Sequence, residues 1–188
     1  VSALTTHVTG IAPSGMTAER FAAADTFDAF LAAAVESGDL WRTTARRAAL
    51  PPDLTARAAA ITAPRRLVML HADWCVDAIN TMPYVARLVE AMPDAELRSL
   101  DRDANLDLMD AHLTGTARAI PIVLVYDDAF RELGWWGPRP AELQGWVKGP
   151  GQALDKEARY KEARTWYVRD RGRSTVLELL TLLEPAAD

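Results

Sequence analysis

Apolar positions change their spacing along this chain. Phe21, Ala24, Phe27, Phe30, Leu31 and Ala34 recur mostly at three- and four-residue steps, which is one apolar face of a helix. Thr17 suits its N-cap, although Arg20 stands where a capping box wants an acid or amide and the nearest acid is Glu19. Gly38 is expected to end this helix. A second helical stretch follows over residues 40–49, Pro51 and Pro52 break it, and Asp53 is placed to cap a short helix reaching Ile61. At Arg65 the pattern changes. Leu67, Val68, Met69 and Leu70 form a continuous apolar run, the mark of a strand covered on both faces. A turn over residues 71–75 leads into a helix over 76–92 with Pro83 inside it, then a strand over 95–100 and a short helix over 105–113. Ile122, Val123, Leu124, Val125 and Tyr126 are the strongest strand, β-branched and aromatic. Asp127, Asp128 and Ala129 predict a hairpin turn, with residues 131–135 pairing back. Gly137-Pro138-Arg139-Pro140 reads as a rigid loop, and Pro140 suits the first turn of a helix. The rest is helical, interrupted at Gly149-Pro150-Gly151. A charged stretch over 155–173 carries Tyr160, Trp166 and Tyr167 to pack on the body, and Val176, Leu179, Leu180 and Leu183 make a last apolar stripe.

From residue 65 the order is strand, helix, strand, helix, strand, strand, helix. This is a parallel βαβ unit followed by a hairpin and a helix, and it predicts an α/β fold with a mixed four-stranded sheet flanked by helices. The expected organisation is one domain in four parts: a flexible arm over 1–16, a helical N-terminal extension over 17–63, the sheet-bearing core over 64–148 and a helical C-terminal tail over 149–188. With 188 residues, nearly half of them apolar, the chain can bury a substantial core. The net charge of −5 comes without a Lys/Arg stripe, which argues against nucleic acid as a partner. The apolar runs are too short for a membrane span, and residues 1–15 do not read as a secretory signal, although a first residue other than Met leaves a processed leader open. A single cysteine forbids an internal disulfide and favours a reducing compartment, so a cytoplasmic location is expected.

That cysteine, Cys75, falls between the first buried strand and its helix, where positive potential at the helix N-terminus favours a thiolate. Around it, Ala72-Asp73-Trp74-Cys75 is similar to the approach to the thioredoxin active site. Pro83 lies eight residues on, where thioredoxins carry a helix proline (83 − 75). Pro121, preceded by Ile120, lies 46 residues after the cysteine (121 − 75), near the spacing of the thioredoxin cis-proline that precedes the hairpin. Gly137 lies 16 residues further (137 − 121), matching a glycine that lines the family's substrate groove. The chain therefore resembles the thioredoxin-like superfamily over about residues 64–148. More narrowly it resembles a bacterial branch reading Trp-Cys-x-Asp-Ala and Trp-Gly-Pro-Arg, here Trp74-Cys75-Val76-Asp77-Ala78 and Trp136-Gly137-Pro138-Arg139.

The departures from that pattern bear on activity. Ala78 replaces the second cysteine, so Cys75 has no resolving partner in the chain and needs glutathione, a partner thiol or a second protomer to complete exchange. Met69 stands where thioredoxins bury an aspartate that assists proton transfer, and Asp77 adds a negative charge that opposes thiolate formation.

The resemblance implies a site in which Cys75 is the nucleophile and Asp77 either a proton-transfer group or a first-turn helix acid. Ile120 and Pro121 would position substrate backbone. Trp74 and Trp136 would wall the groove, with Gly137 lining it. Arg139 would hold a carboxylate or pair with Asp73. Of the adjacent Trp135 and Trp136, alternation predicts one in the core and one more exposed. Arg102 is a further candidate to face the groove. His71 reads as a hydrogen-bonded structural residue ahead of a proton shuttle. His7, His71 and His112 lack metal-ligand spacing with Cys75 or one another, so no metal and no cofactor is expected.

Two classes of function stay open. One is a monothiol thioredoxin-like role, in which Cys75 exchanges with, or forms a mixed disulfide to, a protein or low-molecular-weight thiol; as an enzyme it would be a thiol–disulfide oxidoreductase lacking the resolving cysteine. The other is a redox-inert thioredoxin-fold binding module. A further alternative is a glutathione-dependent glutaredoxin-like role, including an iron–sulfur cluster shared between two protomers. A homodimer is therefore among the partners considered, alongside protein or small-molecule thiols and disulfides, with no nucleic acid and no membrane.

Overall fold

The computed structural model describes residues 6–8 and 15–184. At its centre is strand β2 (Arg65–His71), which pairs in parallel with β3 (Ala95–Asp101) and antiparallel with β4 (Ile122–Tyr126). Helix α5 (Val76–Glu90) makes the β2–β3 crossover, with Pro83 inside it. All five residues of β4 are buried, as are Leu67 to His71 of β2, which accounts for their uninterrupted apolar runs. Strand β5 (Glu132–Trp136) returns beside β4 through a turn in which the Asp127 carboxylate accepts from the amides of Ala129 and Arg131, both at 2.9 Å.

Those four strands are the expected mixed sheet, and a fifth extends it. Strand β1 (Thr6–Val8) pairs antiparallel with β5, giving the order β1-β5-β4-β2-β3. This corrects the expectation of a loose arm at residues 6–8: β5 would otherwise present an open edge of unpaired backbone groups. Residues 1–5 and 9–14 of the expected arm lie outside the described residues; its last residue, Met16, is buried in the core rather than loose, a further correction to that expectation.

The N-terminal extension differs from its periodicity in instructive ways. The single helix expected after Thr17 is two, α1 (Ala18–Ala23) and α2 (Phe27–Ala33), separated where the Asp25 carbonyl accepts from the Ser99 amide at 2.8 Å on the edge of β3. Thr17 and Thr26 cap the two helices through their hydroxyls. Arg20, the residue that spoils the capping box, instead grips the Asp107 carboxylate at 2.6 and 2.9 Å. Gly38 does not end a helix. It begins α3 (Gly38–Arg47), after Ser37 in a left-handed conformation. Helix α4 (Pro52–Ala59) is preceded by Pro51 at the N-cap, and Asp53 lies in its first turn instead of capping it.

Helix α6 (Leu106–Ala111) follows β3, and α7 (Ala141–Lys148) follows the loop after β5. A short 3-10 turn over Pro150–Ala153 leads to α8 (Lys156–Asp170) and α9 (Arg173–Leu183). The stripe Val176, Leu179, Leu180 and Leu183 is fully buried in the main core, as its spacing predicts. Between α8 and α9, Gly172 has φ +73°, and a Cβ there would stand 2.1 Å from the Tyr84 ring of α5, so a bare backbone is what lets this corner close on the body.

Candidate functional site

The turn carrying Cys75 is clamped from the N-terminal side. The Trp41 indole donates to the Asp73 carbonyl at 2.7 Å, and the Asp73 carboxylate accepts from the Val35 and Glu36 amides at 3.2 and 2.9 Å. The Cys75 amide closes the turn onto the Ala72 carbonyl at 3.1 Å, and its own carbonyl accepts the Ile79 amide at 3.0 Å, beginning α5. Cys75 thus occupies the N-cap position of a 15-residue helix.

The thiol is buried, with 6% of the residue exposed, and donates to the Ile120 carbonyl at 3.7 Å. The Ile120–Pro121 peptide is cis, as the spacing from Cys75 predicts. Burial pushes the Cys75 thiol up to about 11. The Asp77 charge adds to the rise, while the Ala78 and Asp77 amides at the helix start and the Arg139 guanidinium oppose it without prevailing. The favourable end of the helix is present, but desolvation outweighs it.

Asp77 is committed on both oxygens. Tyr167, on α8, donates its hydroxyl to one at 2.9 Å, and Arg139 meets the other at 2.5 Å. Arg139 also donates to Gln144 at 3.0 Å. Burial alone would lower the Arg139 pKa; the charge and hydrogen bond of Asp77 outweigh it, and the guanidinium is held more firmly charged. Burial, reinforced by Asp77, holds the Tyr167 phenol well above its ordinary value. Arg139 therefore pairs with Asp77 and not, as one expected alternative had it, with Asp73.

A cleft of about 450 Å³ opens over the thiol. Cys75, Val76, Ala119 and Ile120 line it, and α8 supplies Tyr160, Ala163, Arg164 and Tyr167. Trp74 stands at its edge, 46% exposed, with the Arg102 guanidinium 5.3 Å from its ring centroid. Arg102 and Arg118 also line the cleft.

The cleft brings together Trp74, Cys75, Asp77, Ile120 and Arg139, and it confirms the groove-facing placement considered for Arg102. Trp136 does not wall it. That side chain is fully buried and donates to Glu178 of α9 at 2.7 Å. Trp135 is buried too, edge-on to His112 at 5.7 Å, so the expected exposed member of the pair is absent: both faces of β5 are covered. Gly137 does not line the cleft either. With φ +135° it lies against the Pro121 carbonyl, 2.3 Å from where a Cβ would be, so it serves the close approach of two backbone segments. Pro121 acts through the peptide it fixes, leaving Ile120 as the lining residue.

His71 lies outside this cleft, buried between Phe30 and Trp41, with Nε2 2.7 Å from the Ser99 hydroxyl. Burial depresses it to about 4, which suits a neutral structural imidazole. Among the described residues, no group of three or more His, Cys, Asp or Glu side chains is placed to hold a metal ion.

Arg118 and Arg164 were not singled out from the sequence. Tyr160, Ala163, Arg164 and Tyr167 share one face of α8 at three- and four-residue steps, a signal submerged in that helix's charge.

A βαβ unit, a hairpin and a helix, with a cis-proline peptide beside a cysteine at a helix start, define a thioredoxin-type fold. The thioredoxin family model matches residues 24–161, and the chain belongs to that family. The match begins well before residue 64 and ends inside α8, so the likeness takes in most of the N-terminal helices as well as the expected core. No curated protein matches the chain. Among solved structures it is similar to an HIV epitope-scaffold, at 23% identity and a TM-score of 0.72, covering 90% of this chain and 98% of that one. It is also similar to a protein of unknown function from Pseudomonas aeruginosa, at 25% identity and a TM-score of 0.69, covering 92% of this chain and 99% of that one. Among the described residues no helix is long and apolar enough to cross a membrane.

Proposed function

We propose that this thioredoxin-family protein uses the groove over Cys75 to bind a ligand, with Cys75 kept as a neutral thiol. The burial of Cys75 carries this reading. Its S–H is given to the Ile120 carbonyl, only 6% of the residue is exposed, and the thiol is pushed up to about 11. The thiolate is the nucleophile, and at neutral pH such a group is ionised on the order of one part in ten thousand. The groups that elsewhere could take its proton are committed: Asp77 is engaged by Tyr167 and Arg139.

A second reading is favoured by a different observation, the position of Cys75 at the N-cap of a long helix and inside the cleft. In that reading the Cys75 thiolate attacks a disulfide, forms a mixed disulfide with one half and expels the other as a thiolate. A second thiol, from a protein or a small molecule such as glutathione, then releases Cys75 by the same exchange.

The pH dependence of Cys75 alkylation separates the two. A midpoint well above the ordinary thiol value with slow reaction at pH 7 supports the binding reading. A midpoint near or below 7, together with covalent partner adducts that Cys75→Ser abolishes, would replace it with monothiol exchange.

A further inference from the structure

The charge lining the cleft goes beyond what a thiol groove needs. Among the described residues, four guanidinium groups line it, from Arg102, Arg118, Arg139 and Arg164, against the single carboxylate of Asp77. The chain as a whole carries −5, so this excess does not follow from composition. Arg139 and Asp77 cancel each other at 2.5 Å. Arg102 and Arg118 are held by Asp103 and Asp110, two acids that do not line the cleft and whose side chains are 62% and 48% exposed. Both pairs are bidentate; the Arg118–Asp110 pair is about half exposed on each side, where solvent screens it and an anion in the cleft can compete for the guanidinium. The Arg164 side chain, exposed on α8, makes no hydrogen bond or ion pair with the described residues. Tyr160 lies one turn before it on the same face. Between these charges the surface is apolar, with Trp74 at the edge and Ile120, Val76 and Ala163 within. A volume of about 450 Å³ is of the size that takes small organic ligands.

We propose that this cleft is a binding site for a small organic anion, its apolar body lying against Trp74, Ile120 and Ala163 and its carboxylate or phosphate head on Arg164 and Arg118. The inference rests on the binding reading of the groove and adds the ligand's chemical class to it. Arg164 supplies a charge that no group among the described residues neutralises. Arg118 adds a planar fork that can leave Asp110 for the ligand.

The test uses two fluorescent probes of similar shape on the full chain: 1-anilinonaphthalene-8-sulfonate, which is anionic, and N-phenyl-1-naphthylamine, which is neutral. The expected result is one saturable site for the sulfonate, at least about tenfold tighter than for the neutral probe. Arg164→Ala should weaken the sulfonate by about tenfold while leaving the neutral probe and the melting temperature unchanged, and Arg164→Lys should recover part of the loss. Displacement by 1-naphthoate and by 1-naphthyl phosphate then tells a carboxylate head from a phosphate head, and inorganic phosphate alone should displace poorly. Equal binding of both probes, or an Arg164→Ala variant within twofold of the parent, overturns the anion proposal and leaves the binding groove standing. Failure of both probes to bind overturns the groove reading together with it.

Discussion

Replacing Asp77 with asparagine perturbs the thiol and the fold through one carboxylate. Asp77 accepts from Tyr167 at 2.9 Å and meets Arg139 at 2.5 Å, and its charge is one of the causes that raise Cys75. Asparagine keeps the shape and the burial but removes the charge, and it leaves the field of Arg139 uncancelled beside the thiol. Two causes then act in one direction, downward. Burial is the largest cause of the rise to about 11 and is untouched, so the thiol does not fall below its ordinary value. A drop of about one unit is expected, which is a tenfold gain in thiolate near neutral pH. The fold loses in exchange. Breaking a fully buried pair costs about 3–5 kcal/mol; here the side chains are 22% and 15% exposed and Arg139 keeps Gln144, so about 2 kcal/mol is expected. For a chain of this size that is a fall of roughly 4–8 °C in melting temperature. Alkylation rates against pH and a thermal melt by circular dichroism measure the two effects. An unchanged or higher thiol pKa, or a variant as stable as the parent, would show that the Asp77–Arg139 pair does not govern this site.

Other measurements follow from the same structure. The Cys75 pKa is raised on folding from about 9 to about 11, so the folded state binds more protons in that window and stability should fall by about 3 kcal/mol as pH rises through it; Cys75→Ala should flatten that part of a pH–stability curve. His71 is depressed from about 6.5 to about 4, so the unfolded state takes up the proton first and stability should fall by about 3 kcal/mol as pH drops across that range. His71→Phe, which fits among Phe30 and Trp41, should remove this acid sensitivity, and a curve identical to the parent's would reject the assignment. His112, gripped by Glu132 at 2.9 Å, is shifted the other way, so its contribution is present at low pH and lost as pH rises through its folded pKa. Gly172→Ala places a Cβ 2.1 Å from the Tyr84 ring at φ +73° and should cost about 2–4 kcal/mol in urea unfolding; Tyr84→Ala in the same chain should recover part of that cost by removing the clash.

The strands were legible because their signal is local. A strand buried on both faces has to be apolar at successive positions, and β2 and β4 are. Cys75 and the cis Ile120–Pro121 peptide were legible together through the resemblance to thioredoxins, whose spacing they share; Gly137 matched that spacing too, but it serves the close approach to the Pro121 carbonyl and does not line the cleft. The helix boundaries around residues 24–38 were not, because they depend on a contact far along the chain: the Asp25 carbonyl pairs with β3, and that bond interrupts a periodicity that would otherwise run on. Strand β1 was missed for a related reason. Three residues carry too little pattern to announce a strand, and what makes them one is the open edge of β5.

The amino-acid order by itself determined the fold class, the placement of the lone thiol at a helix start and the loss of its resolving cysteine, since each is written in neighbouring residues or fixed spacings. Tertiary structure decided what that thiol can do. Ionisation depends on how much solvent and which charges surround the sulfur, and these come from segments far apart in the chain: the Ile120 carbonyl accepts a hydrogen bond from its S–H, Arg139 and Tyr167 occupy Asp77, and α8 closes over them. The same helix brings Arg164 to a cleft that Arg102, Arg118 and Arg139 reach from other segments, because the face it turns inward is fixed by how it packs on the body and not by the local run of its charges.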